Sequence, residues 1–413
     1  MVSSVKGTFD LFYPDIKKYL LMEECARKIF SLYGFSEIRT PILEHTELFS
    51  RSVGDETDIV KKEMYTFLDK KGRSLTLRPE NTAPVIRAII EHKLYESPRH
   101  SRLYYIGPQF RYERPQKGRY RQFHQIGIEI INDPFPLIDF EGILIAKELL
   151  NSLGILEVEV KINSVGCKKC RQNFISILKD YLNKFKGDLC SDCNERIERN
   201  TLRVLDCKVA SCQKVIENSP VIIDYICDEC KEHFSKVTQF LNDFEIPFKI
   251  TPRLVRGLDY YTKTVFEMTS FKLGSQDAIV GGGRYDGLIS SLGGPDIPSF
   301  GWALGMERLS LLMEDSPLND NLLYLAWMGE ECLKFAMECA SYLRSKGVEV
   351  VLEGSLRSLK NSLKRAERFQ ANYSLIIGED EVKSELLTLK NMRNGEQIAL
   401  KLNEIPNFIL NGE

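Results

Sequence analysis

Residues 107–129, GPQFRYERPQKGRYRQFHQIGIE, contain the pattern that decides the fold of this chain. Two runs rich in strand-forming residues, Leu103–Tyr112 and Phe123–Ile131, flank a polar connection with many turn-forming residues. This arrangement predicts an antiparallel hairpin with a long loop. The nearly continuous apolar run Ile126–Ile131 is typical of a well-buried central strand.

The loop of this hairpin also concentrates positive charge. Between residues 111 and 121 one acid, Glu113, faces a set of five cations: Arg111, Arg114, Lys117, Arg119 and Arg121. Guanidinium groups bind phosphate oxygens bidentately, and Tyr120 and Phe123 offer faces on which a base can stack. An exposed charged loop is the simpler explanation of an isolated basic segment. Here the arginines continue into the strands, where they would be costly without anionic partners, so we predict binding of a triphosphate or an RNA end.

Length, charge and hydropathy limit the number of domains, the kind of binding partner and the location of the protein. The 413 residues suggest two or three domains, and 56 Lys and Arg against 58 Asp and Glu leave a net charge of −2. Any nucleic-acid binding must therefore come from local basic patches. The N-terminus has no apolar signal segment, and the longest strongly apolar run, Leu322–Met328, is too short to span a membrane. We expect a soluble, cytoplasmic protein.

The order of patterns predicts one interrupted domain and one further domain. A helix from Asp15 to Gly34 and several β-like runs occupy residues 1–163. A helical, cysteine-rich insertion is predicted at 164–247, and the β-type pattern resumes over 248–315, with a helix near its end. After a linker at 315–320, alternating strands and helices over 321–413 predict a small α/β domain with mostly parallel strands.

Three segments, in this order, resemble the three motifs of the class II aminoacyl-tRNA synthetases. They are Gly34–Glu44 with its Pro41, the hairpin with its FRYER core around Arg111, and Gly301–Arg308 (GWALGMER). Two further stretches, Leu254–Glu267 (LVRGLDYYTKTVFE) and Gly281–Gly287 (GGGRYDG), resemble the signature motifs of the histidyl-tRNA synthetase family. The resemblance covers essentially the whole chain. It implies an α+β fold: a class II antiparallel-sheet catalytic core with a helical insertion, and a C-terminal α/β anticodon-binding domain.

The resemblance also implies a function and its participants. Members of this family use ATP to convert L-histidine to histidyl-adenylate, with Mg²⁺ on the triphosphate, and transfer the histidine to its tRNA as homodimers. By that resemblance, Arg111 and Arg256 act on the α-phosphate and the amino-acid carboxylate, and Gln116 contacts the tRNA acceptor end. The ATP-binding residues are Arg111, Arg119, Phe123 and Arg308. The histidine-binding residues are Glu80, Thr82, Gln125, Glu129, Tyr260 and Tyr261, with Glu129 and Tyr261 at the imidazole.

Other features are open at this point. Gly281–Gly283 lacks the Gly-Lys-Ser/Thr ending of a P-loop; we expect these glycines to let backbone approach the bound histidine, with residues 284–286 opening a helix. The basic helix Leu356–Gln370, with Leu356, Leu359, Leu363 and Phe369 on one face, is either a solvated surface or an anticodon-stem contact.

A histidine-sensing regulatory paralogue is the main alternative function, but such relatives usually lack both the LVRGLDYY stretch and the C-terminal domain. An RNA-sensing module attached to a kinase and a different class II synthetase are weaker alternatives.

Eight of the eleven cysteines lie in the insertion. They form four pairs: Cys167/Cys170, Cys190/Cys193, Cys207/Cys212 and Cys227/Cys230. Such spacing is typical of structural zinc sites, yet the family does not depend on zinc, and cysteine is also readily buried as a small apolar residue. The spacing leaves both the binding of zinc and the pairing of the thiols open. If zinc is present, we expect its removal to loosen the insertion and to spare histidine activation.

Overall fold

The protein is described here by a computed structural model that covers residues 2–54, 57–274, 278–314 and 321–411. The chain divides into two compact units, Met1–Glu314 and Asp315–Glu413. The predicted linker at 315–320 lies outside the described residues. Within them, no helix is long and apolar enough to cross a membrane.

The first unit contains eleven strands and ten helices among its described residues. The strands are β1 (Ser36–Glu37), β2 (Leu43–His45), β3 (Tyr65–Leu68), β4 (Ser74–Leu77), β5 (Arg102–Phe110), β6 (Gln122–Ile131), β7 (Glu159–Ser164), β8 (Phe248–Ile250), β9 (Thr262–Thr269), β10 (Ala278–Arg284) and β11 (Ser299–Gly305). The helices are α1 (Ile16–Leu32), α2 (Thr46–Val53), α3 (Thr82–Glu91), α4 (Leu137–Ser152), α5 (Lys168–Asn183), α6 (Ser191–Arg199), α7 (Ala210–Glu217), α8 (Asp228–Asp243), α9 (Leu288–Ser291) and α10 (Met306–Ser310).

Eight of these strands form one sheet, in the order β1-β5-β6-β11-β10-β9-β7-β8. All neighbours are antiparallel except the two edge pairs, β1 with β5 and β7 with β8. The predicted hairpin is confirmed as β5 and β6, paired from Arg102↔Ile130 to Phe110↔Gln122. A separate three-stranded sheet has the order β2-β4-β3.

Strand β6 carries the core on one face and polar groups on the other. Ile126, Ile128 and Ile130 are buried in one apolar cluster with residues of α1 and α4. Because side chains alternate along a strand, Gln125 and Glu129 point to the opposite face. Glu129 is only 1% exposed, so both faces of this strand are covered. The sequence alone could not say which face would be buried.

The cysteine-rich segment leaves the sheet at β7 and returns at β8, and these two strands pair in parallel through Val160↔Phe248. Between them lie helices α5 to α8 and short 3₁₀ turns such as Thr201–Asp206. The apolar residues of this segment are not an isolated core. Phe174 and Ile197 belong to the same buried cluster as Tyr261 and residues of α3.

The second unit is a five-stranded mixed sheet with four helices among its described residues. Its elements are β12 (Leu323–Trp327), α11 (Leu333–Ser345), β13 (Val350–Leu352), α12 (Leu359–Arg368), β14 (Tyr373–Ile377), α13 (Glu379–Ser384), β15 (Leu386–Asn391), β16 (Gln397–Lys401) and α14 (Ile405–Asn411). The three predicted strands, in the order β13-β12-β14, are parallel. Two strands that the sequence did not predict, β15 and β16, extend the sheet as an antiparallel hairpin.

One local prediction is wrong. Residues 284–286 do not open a helix, because Arg284 ends β10, the strand that contains Gly281–Gly283, and the next helix, α9, begins at Leu288. The helix predicted over Leu356–Gln370 is α12. Its buried positions are Ser362 and Ala366, whereas the leucines at 356 and 359 and Phe369 are exposed.

Candidate active site

A cavity of about 540 Å³ lies against the central strands of the large sheet. Its lining includes every predicted ligand-binding residue except Gln116 and Glu129. The residues that it brings together come from β6, α3, β11 and the loops beside β9, which are far apart in sequence. The predicted residues that line it are Glu80, Thr82, Arg111, Arg119, Phe123, Gln125, Arg256, Tyr260, Tyr261 and Arg308.

One end of the cavity is built from buried acidic groups. The carboxylate of Glu80 accepts hydrogen bonds from the backbone N–H groups of Thr82 and Ala83, both at 2.8 Å, and so satisfies free donors at the N-terminus of α3. The hydroxyl of Thr82 donates to Glu129 Oε1 at 2.7 Å, and the hydroxyl of Tyr285 donates to Glu129 Oε2 at 2.5 Å. Glu129 therefore lies behind the lining, one hydrogen bond away from it through Thr82.

Gln125 adds an unsatisfied acceptor to this end of the cavity. Its Oε1 atom is buried and has no hydrogen-bond partner among the described residues. A buried acceptor without a partner costs free energy comparable to a lost hydrogen bond. A ligand that presents an N–H donor would remove that cost, and an ammonium group beside Glu80 would do so with complementary charge.

Burial raises the pKa of Glu129 to about 8 from an ordinary value of 4.5. The folded protein therefore retains a proton that the unfolded chain releases between these two pH values, and raising the pH in this window favours unfolding. We expect the free energy of unfolding of Glu129→Gln, relative to the unsubstituted protein, to increase as the pH rises through the window. Urea unfolding at about pH 5.5 and pH 8 measures this difference. An exposed control, Glu96→Gln, should show none, and a pH-independent difference for Glu129→Gln would contradict the assignment.

Four arginines line the cavity beside these acidic groups: Arg111, Arg119, Arg256 and Arg308. Arg111 is fixed by donation from Nε to the carbonyl of Pro79 at 2.8 Å, and its guanidinium lies 5.2 Å from the centre of the Phe123 ring. Arg119 pairs with Glu113 at 2.9 Å. The pKa of Arg308 is lowered, mainly by burial and next by the charge of Arg119. Binding of an anionic ligand would reduce the repulsion between these neighbouring positive charges.

Arg256 is held by an acidic residue of the lining. Its guanidinium is ion-paired with Glu267 and lies 6.0 Å from the ring of Tyr261, while its Nε is buried without a partner among the described residues. The pKa of Arg256 is raised even though burial opposes this, because the Glu267 carboxylate stabilises its charged form. Arg256 thus presents a permanent positive charge in the cavity lining.

Gln116 does not reach this cavity. It is exposed at the tip of the hairpin loop, where its backbone exchanges two hydrogen bonds with Arg119. A residue at such a tip can contact only a large ligand that extends beyond the cavity mouth.

Comparisons with known proteins bear on what this cavity binds. The family model described as Histidyl-tRNA synthetase matches residues 7–173 and 188–309, and the one described as Anticodon binding domain matches residues 317–412. The chain belongs to the histidyl-tRNA synthetase family. The resemblance inferred from the motifs is therefore confirmed, and so is the predicted α+β class II fold.

Individual members of the histidyl-tRNA synthetase family match along their full length. Histidine–tRNA ligase of Aquifex aeolicus is 48% identical over 404 residues, which is 98% of this chain and 100% of that protein. The enzyme of the same name from Halothermothrix orenii is 47% identical over 406 residues and 97% of both chains. The crystal structure of apo histidyl-tRNA synthetase from S. aureus superposes with a TM-score of 0.81 at 34% identity, covering 99% of this chain and 100% of that one.

Several cavity residues of this family member were not predicted from the sequence. Glu267 and Glu307 lie within the quoted motifs, but a motif does not say that Glu267 pairs with Arg256. It also does not show that Glu307 accepts bonds at 2.9 and 3.0 Å from the backbone N–H of His124. Tyr285, the partner of Glu129, lies in the GGGRYDG motif. The hydrogen bond of Tyr285 to Glu129 depends on the placement of β6 and β10 in the sheet, which the motif does not indicate.

Residues of the insertion also line the cavity, although no pattern in the sequence indicated this. They are Arg203, Asp206 and Lys208, in and just after the 3₁₀ turn that follows α6. Arg203 donates to the backbone carbonyl of Arg256 at 3.4 Å and pairs with Asp58 at 3.6 Å. The insertion is therefore part of the cavity wall.

Gly281, the first residue of the triple glycine, leaves room for the side chain of Arg256. A Cβ atom at Gly281 would overlap the guanidinium of Arg256, so only glycine allows the arginine to lie over β10. We expect Gly281→Ala to displace Arg256 and to lower histidine-dependent ATP–pyrophosphate exchange by ~10-fold or more. Gly187→Ala is a matched control, because no atom lies within 4 Å of its added Cβ. Equal exchange rates for the two variants would contradict this role of Gly281.

Proposed function

We propose that this protein activates L-histidine with ATP and transfers the histidine to its cognate tRNA. The observation that carries the proposal is one cavity whose lining combines acidic and amide acceptors with four arginines. An amino acid needs acceptors for its ammonium and side-chain N–H groups, whereas ATP needs cations for its phosphates. A cavity with both chemistries in contact suits a reaction that joins the two ligands.

The proposed first step joins the two ligands at the α-phosphorus. A histidine carboxylate oxygen attacks the α-phosphorus of ATP, the bond to the β-phosphate oxygen breaks, and pyrophosphate leaves. Arg111 and Arg256 neutralise the charge that builds on the α-phosphate oxygens, and Arg119 and Arg308 bind the terminal phosphates. Phe123 stacks on the adenine, with Arg308 on the other face of the base. In the second step a hydroxyl at the 3′ end of the tRNA attacks the carbonyl carbon, and AMP leaves.

Histidine recognition rests on the acceptors of the lining. Glu80, Thr82 and Gln125 bind the α-ammonium group, which supplies a donor for Gln125 Oε1. We assign Tyr261 and Glu129 to the imidazole, Tyr261 from the lining and Glu129 from behind it through the hydroxyl of Thr82. Tyr260 packs against Tyr261 at a ring distance of 4.8 Å. Buried polar groups reject analogues that leave them unpaired, by as much as ~10⁴-fold, so histidine can be selected without a second, editing site.

Magnesium is the metal expected with the triphosphate. Mg²⁺ prefers carboxylate and phosphate oxygens, and the cavity lining offers the carboxylates of Glu113, Glu267 and Glu307. These residues fit the ion, which would shield the negative charge of the phosphates. Zinc has no proposed part in this chemistry, because the cysteine pairs of the insertion are not among the cavity-lining residues.

The tRNA contacts extend from both units. We assign Gln116 to the acceptor end, since it is exposed at the tip of the hairpin loop. The C-terminal unit reads the anticodon, and α12 is the candidate surface for that contact. Arg365 of α12 and Arg357, just before this helix, pair with the buried Glu353, whereas Lys360 and Lys364 of α12 are exposed.

Removing the second unit, residues 315–413, should separate the two activities. We expect exchange to be retained in part, because the cavity lining lies entirely within Met1–Glu314, and charging of tRNA to be almost abolished. Parallel exchange and aminoacylation assays measure the two effects. Charging at the rate of the full chain would refute the assignment of this unit to anticodon reading.

The division of the chain, its oligomeric state and its location belong to the same proposal. We assign residues 1–163 and 248–315 to the catalytic core, 164–247 to the insertion and 321–413 to the anticodon-binding domain. A cytoplasmic homodimer is proposed, since exposed apolar side chains gather around the segment that resembles the dimer motif: Leu32, Ile42, Leu43, Phe67 and Leu68. A fully active monomer, found by analytical ultracentrifugation at assay concentration, would overturn the dimer.

Aminoacylation tests the overall function. Purified protein, ATP, Mg²⁺, labelled histidine and a histidine tRNA transcript should give labelled tRNA, and a transcript for another amino acid should not. A histidine-sensing regulatory paralogue, the alternative considered from the sequence, would bind histidine without forming this product. The chain matches the anticodon-binding family model and retains the LVRGLDYY stretch, and both favour the ligase.

A further inference from the structure

The four cysteine pairs of the insertion come together as two groups of four thiols. Within each group all four sulfur atoms lie within 4.8 Å of one another. The outer pairs of the segment form the first group: Cys167, Cys170, Cys227 and Cys230. The inner pairs form the second group: Cys190, Cys193, Cys207 and Cys212. The arrangement is nested, so the pairing that the sequence left open is resolved by the fold.

The sulfur–sulfur distances match a shared metal ion and not disulfides. Cys167 Sγ and Cys170 Sγ are 3.5 Å apart, and Cys190 Sγ and Cys207 Sγ are 3.9 Å apart. A disulfide requires about 2.05 Å. Four thiolates at about 2.3 Å from a tetrahedral Zn²⁺ are separated by about 3.8 Å, close to both observed distances.

The backbone around each group is arranged to stabilise thiolates. Cys167, Cys190 and Cys227 each immediately precede a helix, so the pairs that they begin lie at helix N-termini, where negative charge is favoured. The N–H of Cys227 donates to Cys170 Sγ at 3.1 Å, and the N–H of Cys190 donates to Cys212 Sγ at 3.2 Å. Hydrogen bonds of this kind orient metal ligands.

We propose that the insertion binds two structural zinc ions, one in each group of four cysteines. Four thiolates with no open position suit a closed structural site, and soft sulfur ligands select zinc over magnesium or calcium. Simple burial of free thiols as apolar side chains would not require four sulfurs to converge twice. It would also leave Cys227 unexplained, since Cys227 is exposed.

Each zinc site lies next to an arginine that contacts the backbone of residues 256–261. Arg171, one residue after Cys170, donates to the backbone carbonyls of Asp259 and Tyr261 at 3.0 and 2.6 Å. Arg203, which bonds the carbonyl of Arg256, lies in the 3₁₀ turn that ends directly before Cys207. The two ions therefore hold insertion segments that position the backbone of residues 256–261. From the sequence alone, zinc removal was expected to spare histidine activation. The contacts of Arg171 and Arg203 instead predict that loss of zinc lowers exchange, a consequence that rests on the proposed function.

Metal content tests the sites independently of activity. Native mass spectrometry of the intact chain, purified without chelators from zinc-containing medium, should show two zinc ions per chain. Cobalt(II) in their place should give the intense ligand-field absorption of tetrahedral thiolate coordination. A chain with no zinc whose eight thiols all react with a thiol reagent while the insertion stays folded would overturn the proposal. One ion per chain would overturn the two-site arrangement.

Paired substitutions test the nesting. Cys170→Ser with Cys230→Ser, both in the first group, should leave one zinc ion, and so should Cys193→Ser with Cys212→Ser in the second. Cys170→Ser with Cys193→Ser, one from each group, should lose both ions. Cys25→Ser lies outside both groups and should keep two. If a same-group pair lost both ions in soluble, folded protein, the proposed grouping would be wrong.

Discussion

Replacing Arg256 with alanine is expected to lower histidine-dependent ATP–pyrophosphate exchange by ~10²–10³-fold or more, because the variant loses a fixed positive charge beside the reacting phosphate. The guanidinium of Arg256 is oriented by Glu267, and its buried Nε has no partner in the part of the chain that the structure describes. A preorganised charge in a site with little water stabilises the transition state far more than the same charge would in bulk solvent. The change should therefore appear mainly in the turnover number.

Two controls separate this effect from misfolding. Arg199→Ala removes a guanidinium whose side chain is 60% exposed and lies outside the cavity lining, so it should leave exchange unchanged. Circular dichroism and thermal unfolding of Arg256→Ala should stay close to those of the unsubstituted protein. Unaltered exchange by a folded Arg256→Ala variant would reject the role assigned to this residue.

The second large effect is expected at Glu129. Glu129→Ala should raise the KM for histidine by ~10²-fold or more, with a much smaller effect on the KM for ATP, since it removes the carboxylate that orients the Thr82 hydroxyl among the histidine-binding residues. It also leaves the hydroxyls of Thr82 and Tyr285 without their partner, at a cost of ~1–3 kcal/mol each if they stay buried and unpaired. Steady-state exchange with each substrate varied in turn measures the two KM values.

A matched variant identifies the source of that loss. Tyr285→Phe keeps the Glu129 carboxylate and removes only one of its donors, so its KM for histidine should rise far less. Equal increases in the KM values for histidine and ATP would instead indicate that Glu129 supports the structure of the whole cavity.

The central hairpin was predictable because its information is local. Two strand-forming runs and the polar loop between them define β5 and β6 within one continuous stretch, and the arginines of the loop indicate an anionic ligand. The side chains around Glu129 were less accessible to sequence reasoning. Thr82, Glu129 and Tyr285 are widely separated along the chain, and only the sheet order brings them within hydrogen-bond distance.

Sequence reasoning about the insertion met a related limit. Its cysteine spacing is typical of a metal site, but spacing cannot distinguish nested from sequential pairing, which depends on the cysteine pairs that the fold brings together. The part played by Arg203 in the cavity wall was also hidden, since the sequence presents the insertion as a separate segment. In α12, small residues occupy the buried face, which a pattern of large apolar side chains does not reveal.

The most direct test of the account is amino-acid-dependent ATP–pyrophosphate exchange with each of the twenty amino acids. A cavity lined by Glu80 and Gln125 together with Arg111 and Arg256, and backed by Glu129, predicts exchange that depends on histidine and on Mg²⁺, with the other amino acids near background. Exchange supported by another amino acid while histidine is inert would contradict the account.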